Sequence, residues 1–166
     1  RIRRMRMISY TVSPEFDGAT VQEALCGQLQ VSVRCVRRAK QRAGGILLDG
    51  EAAWTPMRVR AGQTVSLAID DGLRPGQTGV VPQPGHVAVV HRDEDVLVVD
   101  KPAGQVMYPG PGHPSGTLLN YVMQYFLDHG CDGYPHAANR IDGTTSGLVV
   151  FATSSYVKDR LQRQLH

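Results

Sequence analysis

The residues best suited to chemistry in this 166-residue sequence lie between positions 138 and 148. Arg140 stands two positions before Asp142, and a run of small polar residues then leads into the apolar stretch 148–151. An opposite charge close to a carboxyl group favours its ionised form, and an ionised carboxylate can act as a nucleophile or as a base. We therefore predict Asp142 as the reacting group, with Arg140 paired to it.

The same residues also allow a purely structural interpretation. An Asp-Gly pair such as Asp142-Gly143 favours a tight turn when apolar runs flank it, and Arg140 would then be an ordinary surface residue. Residue types alone favour this turn over catalysis, because a short motif indicates chemistry only when its surroundings agree. A second motif is needed to decide between the two.

Residues 96–104 supply that second motif. An apolar stretch there runs into the sequence Lys101-Pro102-Ala103-Gly104. Together with the segment around Asp142, this block resembles the two motifs of the RluA-type RNA pseudouridine synthases, in the same order and at about the same separation. The resemblance covers residues 86–166, and the matching positions are 96–104, 109, 117–118, 140–142 and 145–148.

The resemblance implies an enzyme that isomerises specific uridines to pseudouridine in a structured RNA, either ribosomal or transfer RNA. In that reading Asp142 is the catalytic carboxylate and Arg140 assists it. Lys101 precedes a turn, where lysines are usually solvated, but the resemblance places it near the active-site cleft in contact with RNA. No cofactor and no metal are implied, because the reaction has no redox step and transfers no external group.

The sequence departs from the family at several points. Asn139 stands where the family usually has His, and Gly143 where it often has Arg or Lys. The family's catalytic domain also continues through a strand that carries a Tyr and through a later basic motif, and these 166 residues contain neither. We therefore expect the chain to be the N-terminal portion of a longer enzyme, truncated within the catalytic domain, or the ordered part of one.

Two other functions compete with this one. The first is a non-catalytic RNA-binding module with a degenerate or incomplete synthase domain, in which Asp142 serves only as a turn residue. The second is a hydrolase acting on a glycosidic bond. Such hydrolases use a pair of carboxylates, and the sequence identifies no partner for Asp142.

The net charge of +3 is unevenly distributed. Residues 1–69 contain eleven Lys or Arg against five Asp or Glu, a balance of +6, whereas residues 70–166 contain seven against ten, a balance of −3. This asymmetry suggests that the first part of the chain meets a polyanion.

A predicted basic helix carries much of that charge. Thr20 and Glu23 form a capping-box pattern that predicts a first helix over 19–29. Ser32 can cap a second helix with Val33, Val36 and Ala39 facing inward. Five cations then face outward: Arg34, Arg37, Arg38, Lys40 and Arg42. They could bind phosphates or form a merely solvated face.

Residues 13–69 as a whole resemble the S-four-like RNA-binding domain, which is named after a small-subunit ribosomal protein. Residues 70–85 contain seven Gly or Pro in sixteen positions and are predicted to be a linker. Residues 86–166 would then be the N-terminal part of the synthase domain. The predicted fold class is α+β, with a small helix-plus-sheet domain followed by part of a mixed-sheet catalytic domain.

Composition excludes several other classes. No apolar run is long enough to cross a membrane and none suggests a signal peptide, so we expect a cytoplasmic protein. The three cysteines indicate neither a disulfide framework nor a zinc finger. His129, Cys131 and His136 lack a fourth ligand at metal-site spacing. Trp54 is predicted to be a core or interface anchor rather than a platform for base stacking.

Overall fold

The computed structural model describes residues 5–165 and contains two compact units, one up to Asp71 and one from Gly72 onward. Four α-helices and two four-stranded sheets lie in this described part, and every strand pairing in it is antiparallel. The predicted α+β class is confirmed. The second sheet was expected to be mixed, but its described pairings contain no parallel neighbour.

The first unit places two short helices beside a small sheet. Its helices are α1 (Val21–Gly27) and α2 (Val33–Lys40), and the sheet has the order β1-β4-β2-β3. The strands are β1 (Met7–Thr11), β2 (Ile46–Leu48), β3 (Glu51–Ala52) and β4 (Thr64–Ala68). The left-handed backbone of Asp49 and Gly50 turns β2 back into β3, as an Asp-Gly pair favours.

The predicted cap of α1 is present in full. The Thr20 side chain accepts a hydrogen bond from the Glu23 amide at 3.1 Å, and the Glu23 carboxylate accepts one from the Thr20 amide at 2.7 Å. The helix ends at Gly27, two residues short of the prediction. Gln30 has a φ of 54°, a left-handed conformation that cannot continue a right-handed helix.

Helix α2 begins where Ser32 predicts, because the Ser32 hydroxyl accepts a hydrogen bond from the Cys35 amide at 3.2 Å. Val36 and Ala39 are buried as expected, together with Cys35. The inward position predicted for Val33 is wrong, since 51% of its surface is exposed. At 100° per residue, Val33 lies roughly 110° around the helix from the centre of the buried stripe.

The second unit packs one long helix on one face of a sheet. Its strands are β5 (Val89–Arg92), β6 (Val96–Lys101), β7 (His136–Ala137) and β8 (Gly147–Ala152), in the order β5-β6-β8-β7. Helix α3 (Leu118–Asp128) and helix α4 (Ser155–Gln164) complete it. The central pair β6 and β8 is in continuous register from Val96↔Ala152 to Lys101↔Gly147.

The core of this unit forms where α3 meets that central pair. Alternate residues of β6 and β8 point toward the helix, as the period of two in a strand requires. The fully or nearly fully buried cluster includes Leu97, Val99, Val149, Phe151, Leu118, Val122 and Phe126. Because β6 and β8 are packed into this core, the loop that begins after Lys101 and the loop that ends at Gly147 both have a fixed end.

The segment 70–85 makes contacts at both of its ends. Within the first unit, Asp71 forms an ion pair with Arg38 of α2, and Asp70 forms one with Arg42, which follows α2. Within the second unit, the carbonyl of Val81 accepts a hydrogen bond from the Asn120 side chain at 2.9 Å, and the Gln83 side chain accepts one from the Gly116 amide at 2.7 Å. Its role as a linker remains a prediction.

Two features are absent from the described residues. Within residues 5–165, no helix combines the length and apolar character that a membrane span needs. The same residues contain no group of three or more His, Cys, Asp or Glu side chains arranged to hold a metal ion.

Candidate active site

The two sequence motifs meet in the second unit. Lys101 is the last residue of β6 and pairs with Gly147, the first residue of β8. The amide of Gly104 donates a hydrogen bond to the carbonyl of Gly143 at 2.7 Å, which joins the loop after β6 to the loop that carries Asp142. The two loops lie about forty residues apart in sequence, and this hydrogen bond joins them into one structure.

The buried side chain of Lys101 also joins these two loops. Its side chain is completely buried, and its ammonium group donates to the carbonyls of Pro102 at 2.9 Å, Gln105 at 2.8 Å and Gly143 at 3.3 Å. Three carbonyl oxygens satisfy the three donors of an ammonium group. The Lys101 side chain thus closes residues 102–105, the start of the loop after β6, into a tight curl. It also links this curl to the loop that carries Asp142.

The prediction that Lys101 contacts RNA is therefore wrong for this structure. A buried ammonium with all three donors engaged has no free donor to offer a phosphate. The sequence placed Lys101 near the site correctly, but the position before a turn gave no sign that the side chain points inward.

Gly104 is required by the backbone of this curl. Its φ is +88°, in a region that residues with a side chain rarely adopt. Gly143 is a different case, because a Cβ there would meet Val106 at an ordinary 3.6 Å. The family's frequent Arg or Lys at this position would thus find room for its first side-chain carbon.

Asn139 aligns the segment that carries Asp142 with β8. Ladder hydrogen bonds from β7 continue as far as the Ala138 amide, which donates to the Val150 carbonyl at 2.8 Å. The Asn139 side chain then takes over, donating to the Leu148 carbonyl at 3.0 Å and accepting from the Val150 amide at 2.8 Å. This departure from the family's usual His thus has a defined structural role here.

A hydrogen bond to the buried Met107 also holds this segment. The amide of Ile141 donates a hydrogen bond to the Met107 sulfur at 3.3 Å, and Met107 itself is buried in the core. With Asn139 on one side and Met107 on the other, the backbone on both sides of Arg140 is fixed.

Asp142 is the first residue of a tight turn, since its carbonyl accepts a hydrogen bond from the Thr145 amide at 3.0 Å. The turn predicted from Asp-Gly is therefore present, and it is compatible with catalysis because the side chain is exposed. Within residues 5–165, the Asp142 carboxylate forms no ion pair and no hydrogen bond.

Arg140 does not pair with Asp142, contrary to the prediction. Its guanidinium lies over the ring of Tyr108, 5.5 Å from the ring centre. Burial raises the pKa of the half-buried Tyr108, and the positive charge of Arg140 partly offsets that rise. The Arg140 side chain therefore contacts a residue that the motifs did not single out, instead of Asp142.

Two adjoining clefts lie beside the curl after β6, and both are lined by Pro102, Gln105 and Tyr121. The larger, of about 630 Å³, also reaches Asp100 and Ser146. Polar groups from both motifs therefore border space that a ligand could occupy. Neither cleft is lined by Asp142.

The five cations predicted to bind RNA fall into two classes. Arg34, Arg37 and Lys40 are exposed on α2. Arg38 instead forms an ion pair with Asp71 at 3.0 Å, and Arg42 forms one with Asp70 at 2.8 Å. Three of the five predicted cations are therefore exposed, and the other two are in ion pairs.

Trp54 was predicted to be a core or interface anchor. It does not lie in a core, since 67% of its surface is exposed, and the interface role stays a prediction. It precedes a tight turn closed by a hydrogen bond from the Met57 amide to the Trp54 carbonyl at 3.0 Å.

Sequence reasoning also passed over Met107 and Tyr108. Their place directly before Pro109, within the block that resembles the family's first motif, was the signal that could have identified them.

Comparison with known proteins finds relatives named as pseudouridine synthases, although no protein-family model matches the chain. The chain is 38% identical to ribosomal large subunit pseudouridine synthase D of Xanthomonas campestris over 126 residues, which are 75% of this chain and 37% of that protein. It is 30% identical to the uncharacterized RNA pseudouridine synthase YlyB of Bacillus subtilis over 164 residues, 97% of this chain and 53% of that protein.

An uncharacterized RNA pseudouridine synthase of Aquifex aeolicus is 32% identical over 127 residues, 74% of this chain and 39% of that protein. The chain thus spans about half the length, or less, of these curated relatives. Their names agree with the motif pair that the structure joins through Lys101 and Gly143. The chain belongs to the RluA-type family of RNA pseudouridine synthases.

Proposed function

We propose that the whole protein isomerises specific uridines to pseudouridine in a structured RNA, with Asp142 as the catalytic carboxylate. One observation carries the proposal. Lys101 and Gly104 hold the two motif loops together through Gly143, and the side chain of the neighbouring Asp142 is left exposed on a fixed turn. Rigid placement of an accessible reacting group is what catalysis needs from a scaffold.

The reaction sets clear requirements. The bond from ribose C1′ to uracil N1 breaks, the uracil turns while it is held, C5 bonds to C1′, and the C5 proton leaves. N1 takes up a proton in exchange, so that the product is an isomer of the substrate. A carboxylate beside the ribose can attack C1′ or remove a sugar proton, and the exposed Asp142 can serve in either role.

The target uridine must leave its stack before a carboxylate can reach its sugar, which costs on the order of a few kcal/mol. Arg140 is two residues from Asp142 and exposed. Its guanidinium could exchange the Tyr108 ring for a phosphate or for the position that the base vacates. We assign it the role of stabilising the opened RNA.

The names of the relatives favour ribosomal RNA as the substrate, since several are named ribosomal large subunit pseudouridine synthases. The exposed cations of α2 suit this partner, because Lys and Arg on a rigid helix bind phosphates without reading sequence. Transfer RNA has similar phosphate chemistry and is the alternative substrate.

The experiment uses RNA with tritium at C5 of uridine, because formation of the new C5–C1′ bond releases that hydrogen. Large-subunit ribosomal RNA transcripts and transfer RNA transcripts are incubated separately with the whole protein. We expect tritium release from the ribosomal transcript. Release only from transfer RNA would change the substrate, and tight binding without release from either would contradict catalysis.

That last result would favour a non-catalytic RNA-binding module. One observation supports this alternative: Asp142 begins a tight turn, and that structural role requires no catalytic activity.

A further inference from the structure

The contact between Arg140 and Tyr108 bears on how the site is prepared for RNA. The Arg140 guanidinium lies 5.5 Å from the centre of the Tyr108 ring, within the range of a cation–π interaction. Asp142, only two residues away, would be the simpler electrostatic partner, yet no ion pair joins it to Arg140 in the described residues.

Tyr108 is well placed to hold a partner in this way. It follows Met107, whose sulfur accepts the hydrogen bond from the Ile141 amide, so the ring and the backbone beside Arg140 belong to one rigid arrangement. The ring is half-buried, which fixes its plane while leaving part of its surface accessible to the exposed guanidinium.

An exposed cation–π contact and an exposed salt bridge are of similar, small strength. The position of Arg140 can therefore be decided by the geometry of its supports, and it can be changed by a stronger partner. An RNA phosphate is such a partner, because it offers a charged, bidentate acceptor to a guanidinium.

We propose that Tyr108 is a positioning residue that holds Arg140 away from Asp142 until RNA binds. The ring keeps the Asp142 carboxylate open and keeps the guanidinium beside the site. Arg140 then leaves the ring for the RNA. This inference rests on the proposed function for its second step, whereas its first step concerns the protein without RNA.

The first test is a nuclear magnetic resonance measurement of the Arg140 side chain. Protons held over an aromatic face resonate upfield, so the Arg140 signals should be displaced upfield in the wild type and in Tyr108→Phe, which keeps the ring. They should return to ordinary positions in Tyr108→Leu. Adding RNA to the wild type should also abolish the displacement. Ordinary positions in the wild type, or a displacement that survives RNA binding, would overturn the proposal.

The second test is a double-mutant cycle on single-turnover tritium release at subsaturating RNA, where the rate still depends on the state of the free protein. We expect Tyr108→Phe to match the wild type and Tyr108→Leu to be about two- to fivefold slower, the size expected from an exposed cation–π contact. In an Arg140→Gln background, Tyr108→Leu should cause no further loss, because it acts only through Arg140. An equal loss in both backgrounds would show that Tyr108 merely supports packing and would contradict the proposal.

The two tests separate the failure of this inference from failure of the proposed function. If the wild type releases no tritium, the proposed function fails, and the magnetic resonance comparison still decides whether Tyr108 holds Arg140. If tritium is released but the Arg140 signals are ordinary, only the role of Tyr108 is rejected. The RNA titration uses the wild type and so does not depend on whether Tyr108→Leu folds.

Discussion

The ammonium group of Lys101 is surrounded by three backbone carbonyls inside the second unit. Taking a charge out of water costs several kcal/mol, so such a group persists only where its hydrogen bonds compensate. Here those bonds also connect the curl after β6 to Gly143, directly beside Asp142. The position of the proposed catalytic carboxylate is thereby coupled to a residue of the other motif.

Asn139 has a comparable effect from the opposite side, and its chemistry is specific. A neutral amide offers a donor and an acceptor in one plane, which match the Leu148 carbonyl and the Val150 amide. The nitrogens of a His ring point apart and would not reach both groups in the same way. This chain therefore attaches the segment before Asp142 through Asn139.

Asn139→Asp tests that role. The carboxylate can still accept from the Val150 amide but cannot donate to the Leu148 carbonyl, so we expect the free energy of unfolding to fall by about 1–2 kcal/mol. Urea denaturation measures this, with the exposed Gln164→Glu as a control for exchanging an amide for an acid. Equal stability of Asn139→Asp and wild type would mean that the amide does not anchor the segment.

At the scale of secondary-structure elements, local signals in the sequence were the most informative. Both helix caps of the first unit, the β2–β3 turn and the apolar strand before Lys101 follow from the residues themselves. Short-range rules of hydrogen bonding and chain conformation decide such features. The resemblance placed Lys101 near the active site, but the hydrogen bonds that join the two motif loops could be seen only in the structure.

Contacts across loops were the part that the sequence could not provide. Spacing suggested that Arg140 pairs with Asp142, and the resemblance placed Lys101 in contact with RNA. In the structure Arg140 contacts Tyr108, and Lys101 donates to three backbone carbonyls. Spacing likewise cannot tell which cations of a basic helix have carboxylate partners far along the chain. Asp70 and Asp71 lie about thirty residues from the arginines they neutralise.

The division of the α2 cations leads to a prediction with a built-in comparison. The exposed Arg34 and Arg37 should bind phosphates, so replacing both with Gln should weaken RNA binding and reduce its salt dependence by roughly two phosphate contacts, with stability unchanged. Binding of labelled RNA at several salt concentrations measures the slope. An unchanged slope would show that this face is merely solvated.

Arg38→Gln is the matched variant on the same helix. It leaves the Asp71 carboxylate, whose side chain is only 4% exposed, without this ion-pair partner. We expect a loss of about 1–3 kcal/mol in the free energy of unfolding of the first unit. A stable Arg38→Gln with weakened RNA binding would mean that Arg38 belongs to the RNA-binding face after all.

At the scale of the whole molecule, the chain contains two units with different chemistry. The first carries an exposed basic helix, and the second carries the joined motif loops with Asp142. An exposed basic helix and an exposed carboxylate are the features that the proposed activity on RNA requires. The chain spans about half or less of its relatives, so activity is best measured on the whole protein.

The central claim is that Asp142 is the catalytic carboxylate, and tritium release by Asp142→Asn tests it most directly. Asn has nearly the same shape as Asp, and the turn uses only the backbone carbonyl of residue 142, so the fold should be preserved. Asp128→Asn, an exposed carboxylate at the end of α3, is the matched control.

We predict that Asp142→Asn lowers tritium release from C5-labelled RNA at least about a hundredfold, while RNA affinity stays within a few-fold of the wild type and Asp128→Asn remains fully active. Release by Asp142→Asn at the wild-type rate would contradict the account.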